Sequence, residues 1–232
     1  IFKKDKELVM EGAAKVKGVS APVGTYELVA MRLRTRWQAR SSGGLSPLTG
    51  RQRELARLKQ AMDGTASGRG DAFTILGAAG IGKSRLVHEF LAGLPDEWLV
   101  FEAACTAQRM NSSYFPVSAL MRAIFRVDVA DTPDAAANRV RSQMARFDPR
   151  MMVHLPAILS LLDLKVEGKA WSALEPLERR NKIVEAIKAL VLYQERFTPL
   201  VIVIEDVHWI DAETRFVLNN LIDAIGTARV LV

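Results

Sequence analysis

Eight residues constrain this chain more than any others: Gly77-Ala78-Ala79-Gly80-Ile81-Gly82-Lys83-Ser84. Their spacing is G-x-x-x-x-G-K-[ST], a loop that cradles phosphate groups with its own backbone. The residues before it, Ala72-Phe73-Thr74-Ile75-Leu76, read as a short buried strand. After it, Leu86, Val87, Phe90 and Leu91 share one face of a helix. Strand, glycine loop and helix in that order is the setting in which the pattern becomes a binding site. The competing reading is a glycine-rich strand-to-helix turn that holds a lysine by chance.

The chemistry explains the spacing. Glycines at 77, 80 and 82 lack a Cβ, so backbone can approach an anion closely. Amides of Ala78, Ala79, Gly80, Ile81 and Gly82 can then converge on phosphate, helped by the positive end of the following helix. Lys83 supplies a mobile positive charge for the β- and γ-phosphates, and Ser84 a hydroxyl ligand for Mg²⁺. Arg85, next in line, is counted with the phosphate-binding set.

A second motif agrees. Leu200-Val201-Ile202-Val203-Ile204 is an apolar, mostly β-branched run, typical of a parallel strand buried on both faces. Glu205 and Asp206 follow it directly. Ligands of open α/β sheets bind at the carboxyl ends of strands. One of the two acids can hold Mg²⁺ and the other can orient or deprotonate the attacking water; which does which stays open. The plain alternative is a strand that ends in solvated acids.

The 232 residues suffice for one good-sized core with attachments, and 49% hydrophobic with 25% charged is an ordinary soluble composition. No apolar run reaches the length of a membrane span. The chain opens Ile1-Phe2-Lys3-Lys4-Asp5-Lys6, without an initiator methionine or apolar leader, and reads as an excerpt of a longer polypeptide. A single cysteine, Cys105, excludes an internal disulfide, fits a cytoplasmic setting and reads as a buried structural thiol. The net charge of +6 is uneven: residues 1–40 hold nine Lys/Arg and four Asp/Glu. Those charges are scattered, with little aromatic interleaving beyond Trp37, so a solvated connector is favoured over a nucleic-acid or membrane surface.

Three zones follow. Residues 1–31 are mixed, with a bend at Gly18-Val19-Ser20-Ala21-Pro22-Val23 and a strand over Thr25–Ala30. Residues 32–47, with Arg32, Arg34, Arg36, Arg40 and Ser41-Ser42-Gly43-Gly44, read as a linker. The third zone, 48–232, starts with a helix from Arg51 to Met62 and holds a second strand near 98–104 and a helix over Val117–Phe125. Several short helices fill 132–197, divided at Pro133, Pro149, Pro156, Gly168 and Pro176. A helix from Asp211 buries Leu218, Leu221, Ile222 and Ile225, and a last strand begins at Arg229.

Together these segments resemble a family. Leu48-Thr49-Gly50-Arg51-Gln52-Arg53-Glu54-Leu55 is similar to the hydrophobic-x-G-R-x-x-E-L opening of STAND-type, AAA+-like P-loop ATPase modules. Ile204-Glu205-Asp206-Val207-His208-Trp209-Ile210-Asp211 resembles their extended acidic-strand signature, and Ser113-Tyr114-Phe115-Pro116 their segment after the second strand. Lys17–Val23 with Tyr26-Glu27-Leu28 resembles the closing segment of a class III adenylate/guanylate cyclase domain. The resemblance implies an α/β, three-layer P-loop NTPase with a parallel sheet and a helical insertion, behind a cyclase remnant over 1–31. It implies ATP and Mg²⁺ as ligands, and Gly50 and Arg51 as part of the nucleotide pocket. It also implies an upstream cyclase domain and downstream helical repeats as partners in one bacterial signalling chain. The cyclase's own metal-binding aspartates would lie upstream of residue 1. Glu205 stands where P-loop proteins more often place Asp.

The remaining polar residues have local readings. His208 either senses phosphate or a partner domain, or is hydrogen-bonded and packed below the site, and the second is favoured. Trp209 reads as core packing and Asp211 as a helix N-cap. His88 and His154, without a second ligand at metal spacing, read as structural. Three functions compete: a nucleotide-driven ATPase switch, a nucleotide-binding scaffold with little turnover, and an ATPase that remodels nucleic acid.

Overall fold

Parallel backbone pairing organises the larger part of the molecule. The computed structural model describes residues 6–14, 23–31, 49–128 and 130–232. The chain divides into two units, Ile1–Leu45 and Ser46–Val232. The expected bend at 18–22, the linker at 32–47 and much of the cyclase-like segment lie outside the described residues. In the first unit, β1 (Lys6–Ala14) pairs antiparallel with β2 (Val23–Met31), so the strand expected at 25–30 is longer and has a partner that periodicity did not suggest.

The second unit begins with α1 (Gln52–Ala66), followed by the glycine loop, α2 (Lys83–Ala92) and β3 (Leu99–Ala104). Four helices come next: α3 (Phe115–Ile124), α4 (Pro133–Phe147), α5 (Leu155–Leu161) and α6 (Pro176–Gln194). The acidic strand is β4 (Leu200–Glu205), and α7 (Ala212–Ile222) and β5 (Val230–Leu231) complete the unit. The prolines act as expected in this stretch: Pro133 and Pro176 open α4 and α6, where a missing N–H costs nothing. Thr132 caps α4 through its side chain, and Glu175 with Glu178 forms a capping box on α6.

The sheet is parallel in the order β3-β4-β5. A fourth segment joins beyond β5. Asp71 bridges Leu231 in parallel, Asp71 N–H donates to Val230 O (3.2 Å), and Phe73 N–H donates to Val232 O (2.8 Å). The strand leading into the glycine loop therefore lies two places from the acidic strand, with β5 between. It is less buried than its sequence suggests. Its backbone bonds to the β5 side are made by Asp71 and Phe73, and Leu76 is 84% exposed.

Side chains alternate across this sheet, as strand geometry requires. Leu200, Ile202 and Val230 enter a large core with α3 to α7, including Phe125, Val140, Met144, Ile158, Ile187 and Leu221. Val201 and Leu231 enter a smaller core with Leu58 and Ala61 of α1 and Leu86 and Phe90 of α2. Helices thus cover both faces, an α/β/α layering. The helix from Asp211 differs in two details: its buried line is Thr214, Val217 and Leu221, with Leu218 only half-buried, and Ile222 is 40% exposed. Ile222 adjoins Leu221 on the helix and so falls about 100° away from the buried line.

Gly70 fixes the approach to the sheet. A Cβ there would stand 2.1 Å from the Ile225 carbonyl oxygen and 2.9 Å from those of Ala228 and Val230, all backbone atoms. Gly70→Ala must displace either the loop before β5 or the strand entering the glycine loop. It should cost about 1–3 kcal/mol or more, as overpacking does, read as a lowered midpoint in urea unfolding.

Candidate functional site

The glycine loop gains its shape from the helix it starts. Gly82 is the N-cap of α2, with φ +95°, a conformation that L side chains rarely adopt. With no side chain, it cannot cap the first-turn amides. The positive end of α2 is thus presented to whatever anion the loop holds. Lys83 is the first residue of that helix and folds back over the loop. Its Nζ donates to the Gly77 carbonyl (2.8 Å) and the Ala78 carbonyl (3.0 Å).

A second cation holds the loop from α1. Arg51 donates from one guanidinium nitrogen to the Ile81 carbonyl (2.9 Å) and from another to Glu54 Oε1 (2.7 Å). In a trans peptide the carbonyl and the next N–H point opposite ways, so drawing Ile81 O toward Arg51 turns the Gly82 N–H away from it. The Arg51 hydrogen bond holds the Glu54 carboxyl below the usual carboxylate range, keeping the pair charged. Gly50 precedes Arg51 and is exposed, as are Ala78, Ala79, Gly80 and Ser84. Arg85 is paired with Glu89 one turn along α2.

The acids arise at the other side of β5. Glu205 is the last residue of β4, level with Ala104 of β3, and its carbonyl accepts from Cys105 N–H (2.9 Å). Asp206 then takes a left-handed backbone conformation, φ +54°, which Asp tolerates better than most residues. It starts a tight turn over Val207–Trp209, closed by Trp209 N–H to Asp206 O (2.9 Å) and Ile210 N–H to Val207 O (3.1 Å).

Register places the two motifs at one edge of the sheet. Val201 aligns with Leu231, and Leu231 with Asp71. The segment through Asp71 and Phe73 runs parallel to β5 and β4, so it leads into the glycine loop at the edge of the sheet where β4 ends in Glu205. Two strand spacings, about 10 Å, separate them laterally. Oxygen ligands at such an edge suit a hard divalent cation: the Ser84 hydroxyl on the α2 side and the carboxylates of Glu205 and Asp206 on the other.

Two side chains depart from expectation. His208 is exposed and Trp209 is 37% exposed, their rings 4.9 Å apart, so neither packs beneath the site. The left-handed step at Asp206 carries the turn out of the core. Cys105 and Asp211 behave as the residues suggest. Cys105 is buried, with its thiol pushed up to about 11 by burial and then by the nearby Asp211 and Asp206 charges, so it is un-ionised at neutral pH. His154 has its pKa lowered, mainly by burial. Among the described residues no three or more His, Cys, Asp or Glu side chains gather as a metal-holding group. Asp211 caps α7 at Thr214 N–H (2.9 Å). Its second contact, to the backbone of Tyr114, has no signal in local sequence.

A family model of the AAA ATPase domain matches residues 47–232. The chain belongs to the AAA ATPase domain family. Membership implies ATP as ligand and ATP hydrolysis as the reaction, and AAA ATPases generally bind ATP with Mg²⁺. A relative from Rhizobium meliloti (strain 1021), an uncharacterized protein, is 30% identical over 232 residues. That match covers 96% of this chain and 22% of the relative, so the chain spans under a quarter of the relative's length. No solved structure matches. Among the described residues of this AAA ATPase domain, no helix is long and apolar enough to cross a membrane.

Gly82→Ala forces a Cβ onto the left-handed N-cap. The expected cost is about 1–2 kcal/mol at that residue, and reshaping of the loop should abolish ATP binding in calorimetry while the fold remains visible by circular dichroism.

Proposed function

We propose that residues 48–232 form a Mg²⁺-dependent, ATP-driven switch of the STAND type within a longer signalling chain. Residues 1–31 are then the end of a class III cyclase domain, and 32–47 the linker through which the switch acts on it. The observation that supports this most is that the glycine loop and the Glu205–Asp206 pair both follow the carboxyl ends of parallel segments of one sheet.

The residues divide the work. Amides of 77–82 and the positive end of α2 bind the phosphates. Lys83 exchanges the Gly77 and Ala78 carbonyls for the β- and γ-phosphate oxygens, trading two neutral acceptors for charged ones. Gly50 and Arg51 border the nucleotide and hold the loop's shape at Ile81. Ser84 and one of the two acids hold the metal, while the other acid orients the attacking water and accepts its proton. Arg85, tied to Glu89, supports the phosphate site from within α2. Bound Mg²⁺ supplies neutralisation of the charge that builds on the phosphate oxygens.

The reading is tested by three substitutions in the full-length protein. Lys83→Ala should weaken ATP binding about 10- to 100-fold, since a charge-assisted bond contributes about 1.5–3 kcal/mol. Glu205→Gln and Asp206→Asn should leave binding in place, and the acid that serves water should lower phosphate release about 10²-fold or more. Tight binding abolished by Lys83→Ala, without turnover in the wild type, would instead identify a scaffold. Unaltered binding in Lys83→Ala would overturn the site.

A further inference from the structure

The turn that carries the acids is anchored on its far side by a polar chain that runs into the helical insertion. Asp211, 6% exposed, ends that turn. Its Oδ1 accepts the Tyr114 N–H (3.0 Å) and the Thr214 N–H (2.9 Å), and its Oδ2 accepts the Thr214 hydroxyl (2.6 Å). Tyr114 stands at the head of α3 with φ +61°, a strained conformation for an aromatic residue. Its hydroxyl donates to Glu213 Oε2 (2.9 Å). Burial, followed by that bond, raises the Tyr114 pKa, so the hydroxyl stays a donor throughout the working pH range.

Glu213 is met from the opposite side by Arg180. Arg180 Nε stands 2.7 Å from Glu213 Oε2, a charge contact that lacks the alignment of a hydrogen bond. The guanidinium lies over the Phe216 ring, 3.8 Å from its centroid. Glu213 and Phe216 are three apart on α7, so one guanidinium meets both. Arg180 precedes Ile183 and Val184, which anchor α6 in the large core. A displacement of α6 is therefore carried through Arg180 to Glu213, Tyr114 and Asp211, five residues from Asp206.

A chain of this kind is a poor way to secure stability alone. Arg180 and Glu213 each retain about a third of their side-chain exposure, 31% and 28%, where ion pairs contribute little. What the chain does provide is a rigid connection between three elements and one turn. We propose that Arg180, Glu213 and Tyr114 are positioning residues through which the helical insertion sets the Glu205–Asp206 turn, governing hydrolysis and not nucleotide binding. The proposal rests on the ATPase reading above and deepens it by naming the element that regulates the site.

Tyr114→Phe, Glu213→Gln and Arg180→Ala in the full-length protein test it, with MgATP as substrate. Steady-state phosphate release should fall about ten-fold in kcat, with KM within about two-fold of wild type. Arg180→Lys, which keeps the charge beside Glu213, should recover most of the rate that Arg180→Ala loses. Hydrogen exchange supplies a readout free of turnover: amides of 205–211 should exchange faster in the variants, with 77–84 unchanged. Unchanged exchange at 205–211, or a lowered Tm with kcat intact, would overturn the proposal. If the wild type does not bind or turn over ATP, the ATPase reading fails by itself, and exchange at 205–211 alone decides the linkage.

Discussion

Three residues of parallel pairing, 71–73 against 230–232, set the geometry of everything else in the larger unit. Because that pairing is parallel, the glycine loop must leave the sheet at the edge where β4 ends. Because β5 intervenes, loop and acids are about two strand spacings apart and do not collide. An antiparallel entry would have put Lys83 and Glu205 at opposite ends of the sheet. Gly70 protects the pairing, since it lets the strand pass the carbonyls of Ile225, Ala228 and Val230 at a distance no side chain permits.

The same sheet separates the site's two tasks. Its smaller core holds α1 and α2, and these helices deliver Arg51 and Lys83, the two cations that grip loop carbonyls. Its larger core holds α3 to α7, and these deliver Tyr114, Arg180, Asp211 and Glu213, which brace the acidic turn. The groups proposed to hold phosphate and those proposed to place the acids thus come from opposite faces. The sheet joins the two faces: in β4 and β5, Leu200 and Val201, and Val230 and Leu231, point alternately into the two cores.

What the sequence revealed was whatever chemistry is local. The glycine loop, the apolar run of β4 and the cap at Asp211 are short-range patterns, and each was legible. The run 72–76 looked like a buried strand because its residues are apolar, yet burial depends on a partner, and Thr74–Leu76 extend past the residues that pair. Trp209 looked like core because tryptophan usually is; the backbone at Asp206 overrides that preference by turning the chain outward. Tyr114 and Asp211 lie 97 residues apart, and no periodicity links them. The close approach at Gly70 is equally silent, since a glycine in a turn-rich stretch has the same appearance whatever surrounds it.

The outward turn has a physical consequence for the site. Leu76, Ile81, Val207 and Trp209 are large apolar side chains exposed in the segments that lead into the loop and out of the acids. Exposed hydrophobic side chains work against solubility, and here they gather in the stretches that bear charge. Apolar groups near a charged site displace water and lower the effective dielectric, and Coulombic attraction grows in proportion. Lys83, the loop amides and a metal between Ser84 and the acids would each act more strongly on a phosphate there than in open solvent. A left-handed residue at 206 therefore does two things together. It turns the chain outward after β4, and it keeps Val207 and Trp209 out of the core.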